Sequence, residues 1–337
     1  MSFLLSVCIP TYNRSIHLNN CLNSIASSIK GYEELVEVCI SDNGSDDDTP
    51  QIINNYMANL KIVYNRFDSN LGIPRNFIKV ISIASGIFVW LLGDDDLLLP
   101  ETFEKLLPVL KSNSEIDYFF VNSYHLTTDY VMSFPQPFDT KNLPSEMIPF
   151  SLYTKTGKFP FLKLIDPKVS FDFLGGMFLA VFKREMWQQN VYKLDTNAIQ
   201  DMRTFSHFDN TFPHVRIFAN AFSRSMAYFH TQPLSVCLTG AREWSPMYPL
   251  IHSVRMVEAL EIYRQNGLSL GQYLYCRNFA LNNFISDVGA IIIYRETSGY
   301  QYINLWSLFL KNALFPNTYL SLFYFIFRKV TSIFRKK

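Results

Sequence analysis

A run of apolar residues that ends in three adjacent aspartates constrains the fold of this chain more than any other stretch. Residues 86–92 form an almost unbroken apolar series with β-branched and aromatic members, and Asp94, Asp95 and Asp96 follow closely. A run of this kind predicts a buried strand. The aspartates would then lie at the carboxyl end of that strand, where open α/β sheets bind ligands.

The three aspartates have two interpretations. Neighbouring carboxylates repel one another unless a cation or hydrogen bonds compensate for the repulsion. Mg²⁺ and Mn²⁺ take oxygen ligands, commonly one or two carboxylates together with substrate phosphates, so a metal site is the first interpretation. The second is a solvated acidic turn that caps the next helix, because aspartate is favoured at helix N-caps.

Apolar runs alternate with segments of helical spacing in the N-terminal third of the chain. The predicted strands are residues 3–9, 35–40, 61–64 and 86–92, the first of them central in the sheet and ended by Pro10. Helices are predicted at about residues 18–29 and 48–57, and a loop over residues 70–77 enters a third helix that ends at Ala84. Strands that alternate with helices indicate a parallel sheet with helices on both faces.

Polar segments follow the first, second and fourth predicted strands. Thr11 begins the first segment, Ser41 begins the second, and the three aspartates form the third. The Asn43-Gly44 pair of the second segment predicts a turn. Because the carboxyl ends of parallel strands meet at one edge of a sheet, the three segments would line one crevice, as a nucleotide site requires.

Four short motifs occur in order in this part of the chain. They are residues 6–14 (SVCIPTYNR), 41–45 (SDNGS), 70–76 (NLGIPRN) and 93–96 (GDDD). Together they resemble the signatures of family 2 glycosyltransferases over roughly residues 3–110, and four motifs in order make the resemblance specific. It implies an α/β protein with the GT-A fold, a Rossmann-like, mostly parallel central sheet flanked by helices. It also implies a nucleotide-sugar donor and inversion of the anomeric centre.

The resemblance continues more weakly beyond this region. Residues 173–176 and 182–187 are similar to the acceptor side of the family, and residues 212–215 and 230–234 resemble its bacterial O-antigen branch, notably abequosyltransferases. Those enzymes move a 3,6-dideoxyhexose from a CDP donor such as CDP-abequose to a lipid-linked oligosaccharide. The implied organisation is a GT-A domain at residues 1–245, with a nucleotide-binding half (1–110) and an acceptor-binding half (111–245), and a C-terminal helical region at 246–337.

The resemblance assigns the donor to the polar loops. The expected donor-binding residues are Pro10, Thr11, Tyr12, Asn13, Arg14, Asp42, Asn43, Asn70, Gly72, Arg75, Asp94 and Asp95. Asp42 would accept a hydrogen bond from uracil N3–H or a cytosine amino group, and its alternative role is an Asx turn. Arg14 and Arg75 would contact phosphate or ribose, since a guanidinium matches phosphate oxygens. The alternative for Arg75 is a surface charge beside a helix start.

The resemblance also implies a divalent metal and a general base. Many members of the family carry an acidic residue where this chain has Gly93, so Asp95 and Asp96 are the expected ligands of Mg²⁺ or Mn²⁺, which would act as a Lewis acid. Inversion needs a base across the sugar from the leaving group. Its candidates are, in order of preference, Asp209, His214 and Asp201, and the adjacent Glu-Asp pair familiar in the family is missing. A lone histidine is more often structural than catalytic.

Four residues are expected to contact the acceptor: Gly175, Gly176, Arg242 and Trp244. Trp244 would stack on a sugar ring, and a core tryptophan is the alternative. Residues 127–167 show no clear period, which predicts either an acceptor-binding flap or an insertion.

The chain ends in an apolar segment followed by basic residues. Residues 319–327 are almost continuously apolar, and Arg328, Lys329 and residues 335–337 are all basic. This pattern fits an interfacial helix on an anionic membrane, and a helix packed in the core is the alternative. No run reaches the roughly 18 apolar residues of a spanning helix, and no secretory signal is evident. We therefore expect a cytoplasmic protein, peripheral on the inner face of the membrane, with a polyprenyl-diphosphate-linked acceptor.

Two other functional classes share parts of this pattern. A catalytically silent nucleotide- or carbohydrate-binding module would keep the fold without the base. A nucleotidyltransferase would more typically carry an early Gly-rich phosphate loop, which residues 10–14 lack. The net charge of +1 gives no argument for a nucleic-acid partner.

Overall fold

A computed structural model describes residues 3–240 and 243–335, with side chains to residue 327. Within these residues one sheet contains ten strands. The strands are β1 (Leu5–Thr11), β2 (Val36–Asp42), β3 (Ile62–Arg66), β4 (Phe88–Leu91), β5 (Leu97–Leu98), β6 (Tyr118–Thr127), β7 (Ile148–Pro149), β8 (Gly157–Pro160), β9 (Ala180–Lys183) and β10 (Met226–Thr239).

Helices flank the sheet and form the C-terminal region. They are α1 (Ser15–Ser28), α2 (Thr49–Tyr56), α3 (Ile73–Ser82), α4 (Thr102–Ser112), α5 (Thr128–Met132), α6 (Arg184–Gln188), α7 (Thr196–Gln200), α8 (Phe208–Thr211), α9 (Pro213–Phe222), α10 (Tyr248–Leu250), α11 (Met256–Gln265), α12 (Leu270–Ala280), α13 (Phe284–Ile293), α14 (Leu305–Asn312) and α15 (Pro316–Arg335). A π-helical turn, Ile251–Arg255, joins α10 to α11. Pro50 and Pro74 lie in the first turns of α2 and α3, where no N–H partner is lost.

The strand order is β3-β2-β1-β4-β9-β6-β10-β5, with β7 beside β6 and β8 beside β10. Strands β1 to β4 are parallel where they pair, as predicted. Strand β9 is antiparallel to both β4 and β6, so the sheet as a whole is mixed. Because β9 runs opposite to β4, the loop that precedes β9 lies at the same edge as the acidic end of β4.

The first strand does not end at Pro10 as predicted. Strand β1 continues through Pro10 to Thr11 along β2. On the other side, the pairing of β1 with β4 already ends at Cys8 and Leu91, where the Cys8 carbonyl accepts from the Leu92 N–H at 3.0 Å. Alternate residues of a strand face the same neighbour, so Pro10 faces the β4 side. Its missing N–H therefore removes no bond from the ladder.

The acidic turn is fixed by buried strands on both sides. Strand β4 enters it, and strand β5 leaves it to pair with β10 through Leu97 and Leu98. The Leu98 N–H also donates to the Ser24 hydroxyl of α1 at 3.0 Å. The aspartates consequently occupy a short connection whose two ends are held by buried strands.

The segment predicted to be irregular, residues 127–167, contains only short elements. They are α5, β7, β8 and two 3-10 turns, Thr140–Asn142 and Phe161–Leu164. Strands β7 and β8 add to the edges of β6 and β10, so the segment is attached to the sheet rather than detached from it.

The C-terminal region is helical, and its core is continuous with that of the sheet region. Tyr263 of α11 is fully buried near Phe161, and α11 packs against α9. Among the described residues, no helix combines the length and apolarity that crossing a bilayer demands. The division of the chain at residue 245 stays a prediction.

Helix α15 is packed on the body at its start and exposed further along, and its contact with a membrane stays a prediction. Its first part packs on the body: Thr318 and Ser321 are buried, and the Ser321 hydroxyl accepts from the Ile285 N–H at 3.1 Å. Residues 322–327 are all exposed. Lys336 and Lys337 lie outside the described residues.

Candidate functional site

An arginine from the first loop pairs with two carboxylates of the acidic turn. Arg14 approaches two carboxylates, with Nε 3.2 Å from Asp94 Oδ1 and Nη2 3.1 Å from Asp95 Oδ2. The Thr11 hydroxyl donates to Asp94 Oδ2 at 2.8 Å. All three aspartates are buried, and the Arg14 charge offsets part of the repulsion among them.

Asp96 is folded back over the turn. The Gly93 N–H donates to Asp96 Oδ2 at 3.0 Å, and the Asp96 N–H donates to the Gly93 carbonyl at 3.2 Å. A Cβ on residue 93 would lie 2.8 Å from Asp96 Oδ2 and 2.9 Å from Asp95 Oδ1, closer than such atoms approach. Glycine at position 93 therefore makes room for the two carboxylates that are expected to bind metal.

The carboxylates of this turn would need phosphate oxygens to complete the coordination of a metal ion. Among the residues that the structure describes, no three His, Cys, Asp or Glu side chains are grouped so as to hold an ion. Mg²⁺ is usually bound by one or two carboxylates and by substrate phosphates. Asp95 and Asp96 fit this pattern, and the metal role stays a prediction.

Hydrogen bonds join the three polar loops into one crevice. Asn13, in the left-handed region at φ 51°, accepts from the Asp46 N–H at 2.9 Å, and its own N–H donates to the Ser45 hydroxyl at 2.8 Å. The Asn43 amide accepts from the Leu71 N–H at 2.9 Å and donates to Asn70 Oδ1 at 2.8 Å. The loops of residues 10–14, 41–45 and 70–76 are thus held together before any ligand binds.

Asp42 is buried within this crevice, and its carboxylate is already engaged. It accepts from the Ser45 N–H at 2.8 Å and from the Tyr64 hydroxyl at 3.0 Å, and Arg66 Nε lies 3.4 Å away. Burial, and then the Asp42 charge, raise the pKa of Tyr64. The turn-forming role is present in the structure, and nucleobase binding by Asp42 stays a prediction. Arg66 is half exposed and was missed by the sequence argument.

The remaining donor-binding candidates lie around the same crevice. Pro10 is buried, Tyr12 is exposed, and Gly72 donates its N–H to Asn70 Oδ1 at 2.8 Å. Arg75 lies in the first turn of α3, partly buried, and forms no ion pair with a described residue. An unpaired guanidinium at a helix start can bind phosphate, so the predicted role keeps its physical basis.

The favoured base candidate, Asp209, is locked inside the protein. Its side chain is 1% exposed, accepts from the Asp195 N–H at 2.8 Å and forms an ion pair with Arg216. His214 is also buried, with Nε2 3.0 Å from the Gly175 carbonyl. Burial lowers the pKa of His214 to about 4. Both side chains therefore hold structural positions in this conformation, and their catalytic roles stay untested.

The backbone of Asp201 lies beside Gly72 of the donor loops. A Cβ built on Gly72 would lie 3.9 Å from the Asp201 carbonyl oxygen, and α3 packs against α7 and α8. The carboxylate pairs with Arg203 at 2.6 Å and accepts from the Ser206 hydroxyl at 2.9 Å, while His207 Nε2 is 3.2 Å away. The hydrogen bonds from Arg203 are the main cause that holds the pKa of Asp201 well below its usual range.

The loop that carries Gly175 and Gly176 is strained and sits beside the acidic turn. Phe173 and Leu174 both adopt left-handed backbone angles, φ 53° and 68°, which non-glycine residues rarely do. Trp90 of β4 donates its ring N–H to the Phe178 carbonyl at 2.8 Å, which ties the loop to the strand that ends in the aspartates. Strain of this kind is typical of functional sites.

One acidic residue in this loop was missed. Asp172 accepts from the Ser170 hydroxyl at 2.5 Å, and a Cβ on Gly176 would lie 3.0 Å from Asp172 Oδ2. Burial raises the pKa of Asp172. An aspartate three residues before a Gly-Gly pair was the available sequence signal.

The other acceptor candidates occupy different environments. Trp244 is partly buried, with its ring centroid 5.1 Å from the rings of both Phe205 and Tyr248. It therefore packs in an aromatic cluster, and a stacking role stays a prediction. Arg242 lies outside the described residues.

Comparison with known proteins agrees with this geometry. Residues 6–168 match the family model described as Glycosyl transferase family 2. Abequosyltransferase RfbV of Salmonella typhimurium is 30% identical over 256 residues, which cover 69% of this chain and 66% of that protein. The chain belongs to glycosyltransferase family 2.

Other relatives and solved structures extend the comparison. An uncharacterized glycosyltransferase of Mycoplasma pneumoniae, the MG060 homolog, is 29% identical over 180 residues, half of this chain and 59% of that protein. The chain thus spans about three-fifths to two-thirds of the length of these two curated relatives. S. aureus TarS 1–349 superposes with a TM-score of 0.54 at 16% identity, covering 88% of this chain and 74% of that one. The predicted GT-A fold is confirmed.

The structure brings the predicted loops of this family 2 glycosyltransferase together, and the roles of the site residues stay predictions. The donor loops and the acidic turn come together, and the Gly175 loop lies beside them. Asp209 was expected to face the sugar, and in the structure it pairs internally with Arg216. Arg66 and Asp172 are additional polar residues at or near the site.

Replacing Gly93 by alanine tests the close approach in the acidic turn. We expect the new methyl group to displace the Asp95 and Asp96 carboxylates and to abolish Mn²⁺-dependent nucleotide binding, with a stability loss of about 1–3 kcal/mol. Isothermal titration with and without Mn²⁺ measures the effect. Gly271→Ala is the matched control, because open space surrounds that helical position. Unchanged metal-dependent binding by Gly93→Ala would contradict the account.

The buried histidine gives a prediction for the pH dependence of stability. The folded pKa of His214, about 4, lies below its ordinary value of 6.5. The stability that depends on neutral His214 is therefore complete above about pH 6.5 and is lost as pH falls towards 4. The loss is about 3 kcal/mol for a shift of this size. His214→Gln keeps an N–H for the Gly175 carbonyl and should lack this dependence. Urea unfolding from pH 4 to 8 measures the difference, and parallel curves for both proteins would refute it.

Proposed function

We propose that this chain is an inverting glycosyltransferase that moves a sugar from a nucleotide-sugar donor to a lipid-linked oligosaccharide in surface polysaccharide synthesis of the O-antigen type. The observation that carries the proposal is the crevice in which three polar loops meet the acidic turn at one edge of the sheet. The similarity to an abequosyltransferase supports a CDP-3,6-dideoxyhexose such as CDP-abequose as donor. The TarS neighbour was crystallised with UDP-GlcNAc, which supports a nucleotide sugar more generally.

The donor would lie across the crevice with its diphosphate towards the acidic turn. Arg14 is positioned to balance the Asp94 and Asp95 charges, and Arg75, which forms no ion pair with a described residue, lies at the start of α3. Asp95 and Asp96 would hold Mg²⁺ or Mn²⁺. The metal, when bound, supplies a Lewis acid that neutralises charge on the leaving diphosphate. The buried surroundings of the turn strengthen each of these charge interactions relative to water.

We propose Asp201 as the general base of inversion. It is ionised at neutral pH, its side chain is 13% exposed, and its backbone contacts the donor loop at Gly72. Asp209 is less accessible, because its side chain is only 1% exposed and pairs with Arg216 inside the protein. The acceptor hydroxyl would approach between Asp201 and the strained Gly175 loop.

A membrane surface is proposed as the place where the enzyme meets its acceptor. Trp306 and Leu310 of α14 are 81% and 73% exposed, and Phe323 and Phe327 of α15 are 65% and 69% exposed. Exposed apolar groups in such number mark an interaction surface. The last 38 residues carry six basic residues and no acidic residue, which complements anionic lipid. The enzyme would therefore sit on the inner face of the cell membrane.

A donor screen tests the proposed reaction. Nucleotide sugars are compared by thermal shift with and without Mn²⁺, and a ligand at a hundred times its Kd should stabilise the protein by about 2.7 kcal/mol. Turnover is then followed by release of the nucleoside diphosphate. Asp96→Asn should abolish turnover without unfolding, whereas the exposed Asp129→Asn should behave as wild type. Donor binding without turnover by the wild type on any acceptor would favour a silent binding module, and full activity in excess chelator would remove the metal.

A truncation tests the membrane surface. Removing residues 323–337 leaves the packed Thr318 and Ser321 in place, so we expect normal folding and normal transfer to a soluble acceptor. Co-sedimentation with anionic vesicles should be lost, and binding of the full chain should weaken as salt rises. Phe323→Ser with Phe327→Ser should act similarly, and the exposed Tyr192→Ser is the control. A full-length protein that ignores anionic vesicles would contradict the proposal.

A further inference from the structure

We infer that Arg255 is a positioning residue through which the C-terminal helices fix the loop that carries Asp201. The inference rests on the proposed function, because it concerns the geometry of the proposed base. Arg255 ends the π-helical turn Ile251–Arg255 and lies outside the region that carries the donor loops. It reaches the loop through backbone carbonyls.

The Arg255 guanidinium is buried against the loop. Its residue is 4% exposed, and Nη2 donates to the carbonyls of Phe205 and Ser206 at 2.9 and 2.8 Å. Nη1 pairs with Glu258 Oε2 at 2.7 Å. Burial of a guanidinium is costly unless its charge is paired, and Glu258 and the two carbonyls supply partners to Nη1 and Nη2. Here two of those bonds go to consecutive carbonyls of the loop, so the arginine determines where that backbone lies.

The backbone that Arg255 binds has a strained conformation. Phe205 has a left-handed φ of 58°, a conformation that bulky side chains rarely adopt. Its N–H donates to Asn210 Oδ1 at 2.7 Å, and its ring packs against Trp244 at 5.1 Å. Phe205 is thus held at its N–H by Asn210 and at its carbonyl by Arg255. Strained residues persist only where the surroundings constrain them in this way.

Two short contacts carry this constraint to Asp201. The Ser206 hydroxyl donates to Asp201 Oδ2 at 2.9 Å, and Asn210 Nδ2 donates to the Asp201 carbonyl at 2.6 Å. The same Asp201 carbonyl lies beside Gly72 of the donor crevice. Movement of the Phe205–Ser206 backbone would therefore displace the Asp201 carboxylate relative to the donor.

The π-helical turn connects this contact to the C-terminal helices. Ser253, fully buried in the same turn, donates to Asp287 Oδ2 of α13 at 2.6 Å. Helix α13 packs in turn against α15. The C-terminal region is thus joined to the loop by a continuous set of hydrogen bonds and packed helices, and Arg255 is a member that binds the loop directly.

Substitution of Arg255 by lysine tests the inference in the full-length enzyme. Lysine keeps the charge but cannot present the planar fork that reaches both carbonyls. We expect kcat to fall by about 10–100-fold, since small misplacement of a reacting group has effects of this size, while the Kd for the nucleotide changes less than about twofold. Arg264→Lys is the matched control, because Arg264 donates to the Leu268 carbonyl at its own helix end.

A second readout does not depend on turnover. Hydrogen exchange of residues 201–210, measured by mass spectrometry, should become faster in Arg255→Lys and stay unchanged in Arg264→Lys. Guanidinium added to Arg255→Ala should restore part of the lost kcat. A folded Arg255→Lys with wild-type kcat, or one that loses nucleotide affinity and kcat in equal proportion, would overturn the inference. Faster exchange in a protein that turns over no nucleotide sugar would overturn the proposed function and leave the contact intact.

Discussion

The structure depends on the charge balance in the turn between β4 and β5. Three buried carboxylates occupy one short connection, and Arg14 from the first loop supplies the cation that approaches two of them. Without such a partner, the repulsion among the carboxylates would oppose folding of the turn. Arg14 immediately precedes α1, so the helix and the adjoining loop are placed by the same ion pairs that make the turn stable. Hydrogen bonds of Asn13 and Asn43 join the remaining two loops to the loop that carries Arg14.

The antiparallel strand β9 explains how the two halves of the site meet. Parallel strands alone bring the donor loops to one edge of the sheet. Strand β9 enters at that same edge, so the strained Gly175 loop is placed next to the acidic turn and fixed there by Trp90. The C-terminal helices complete the arrangement from outside the sheet through Arg255. The site is therefore formed by three separate parts of the chain.

Sequence reasoning succeeded where local pattern determines structure. The periods of β1 to β4 and their helices, the acidic turn and the C-terminal helices all follow from short-range signals. It failed where a partner is distant or conformation-dependent: nothing local shows that Asp209 pairs with Arg216, or that Pro10 faces a side without a ladder. The left-handed angles of Phe173, Leu174 and Phe205 are likewise imposed by tertiary packing. The position of Asp201 beside Gly72 also required the fold.

We propose that a divalent cation and the donor diphosphate meet at the acidic turn. The most direct test is the anomalous diffraction of Mn²⁺ in crystals of the wild type grown with Mn²⁺ and CDP or UDP. The account predicts a single strong peak within coordination distance of Asp95 or Asp96 and of the diphosphate oxygens, with the nucleoside in the crevice above Asp42. A nucleotide bound in that crevice with Mn²⁺ elsewhere, or a diphosphate remote from the turn, would contradict it.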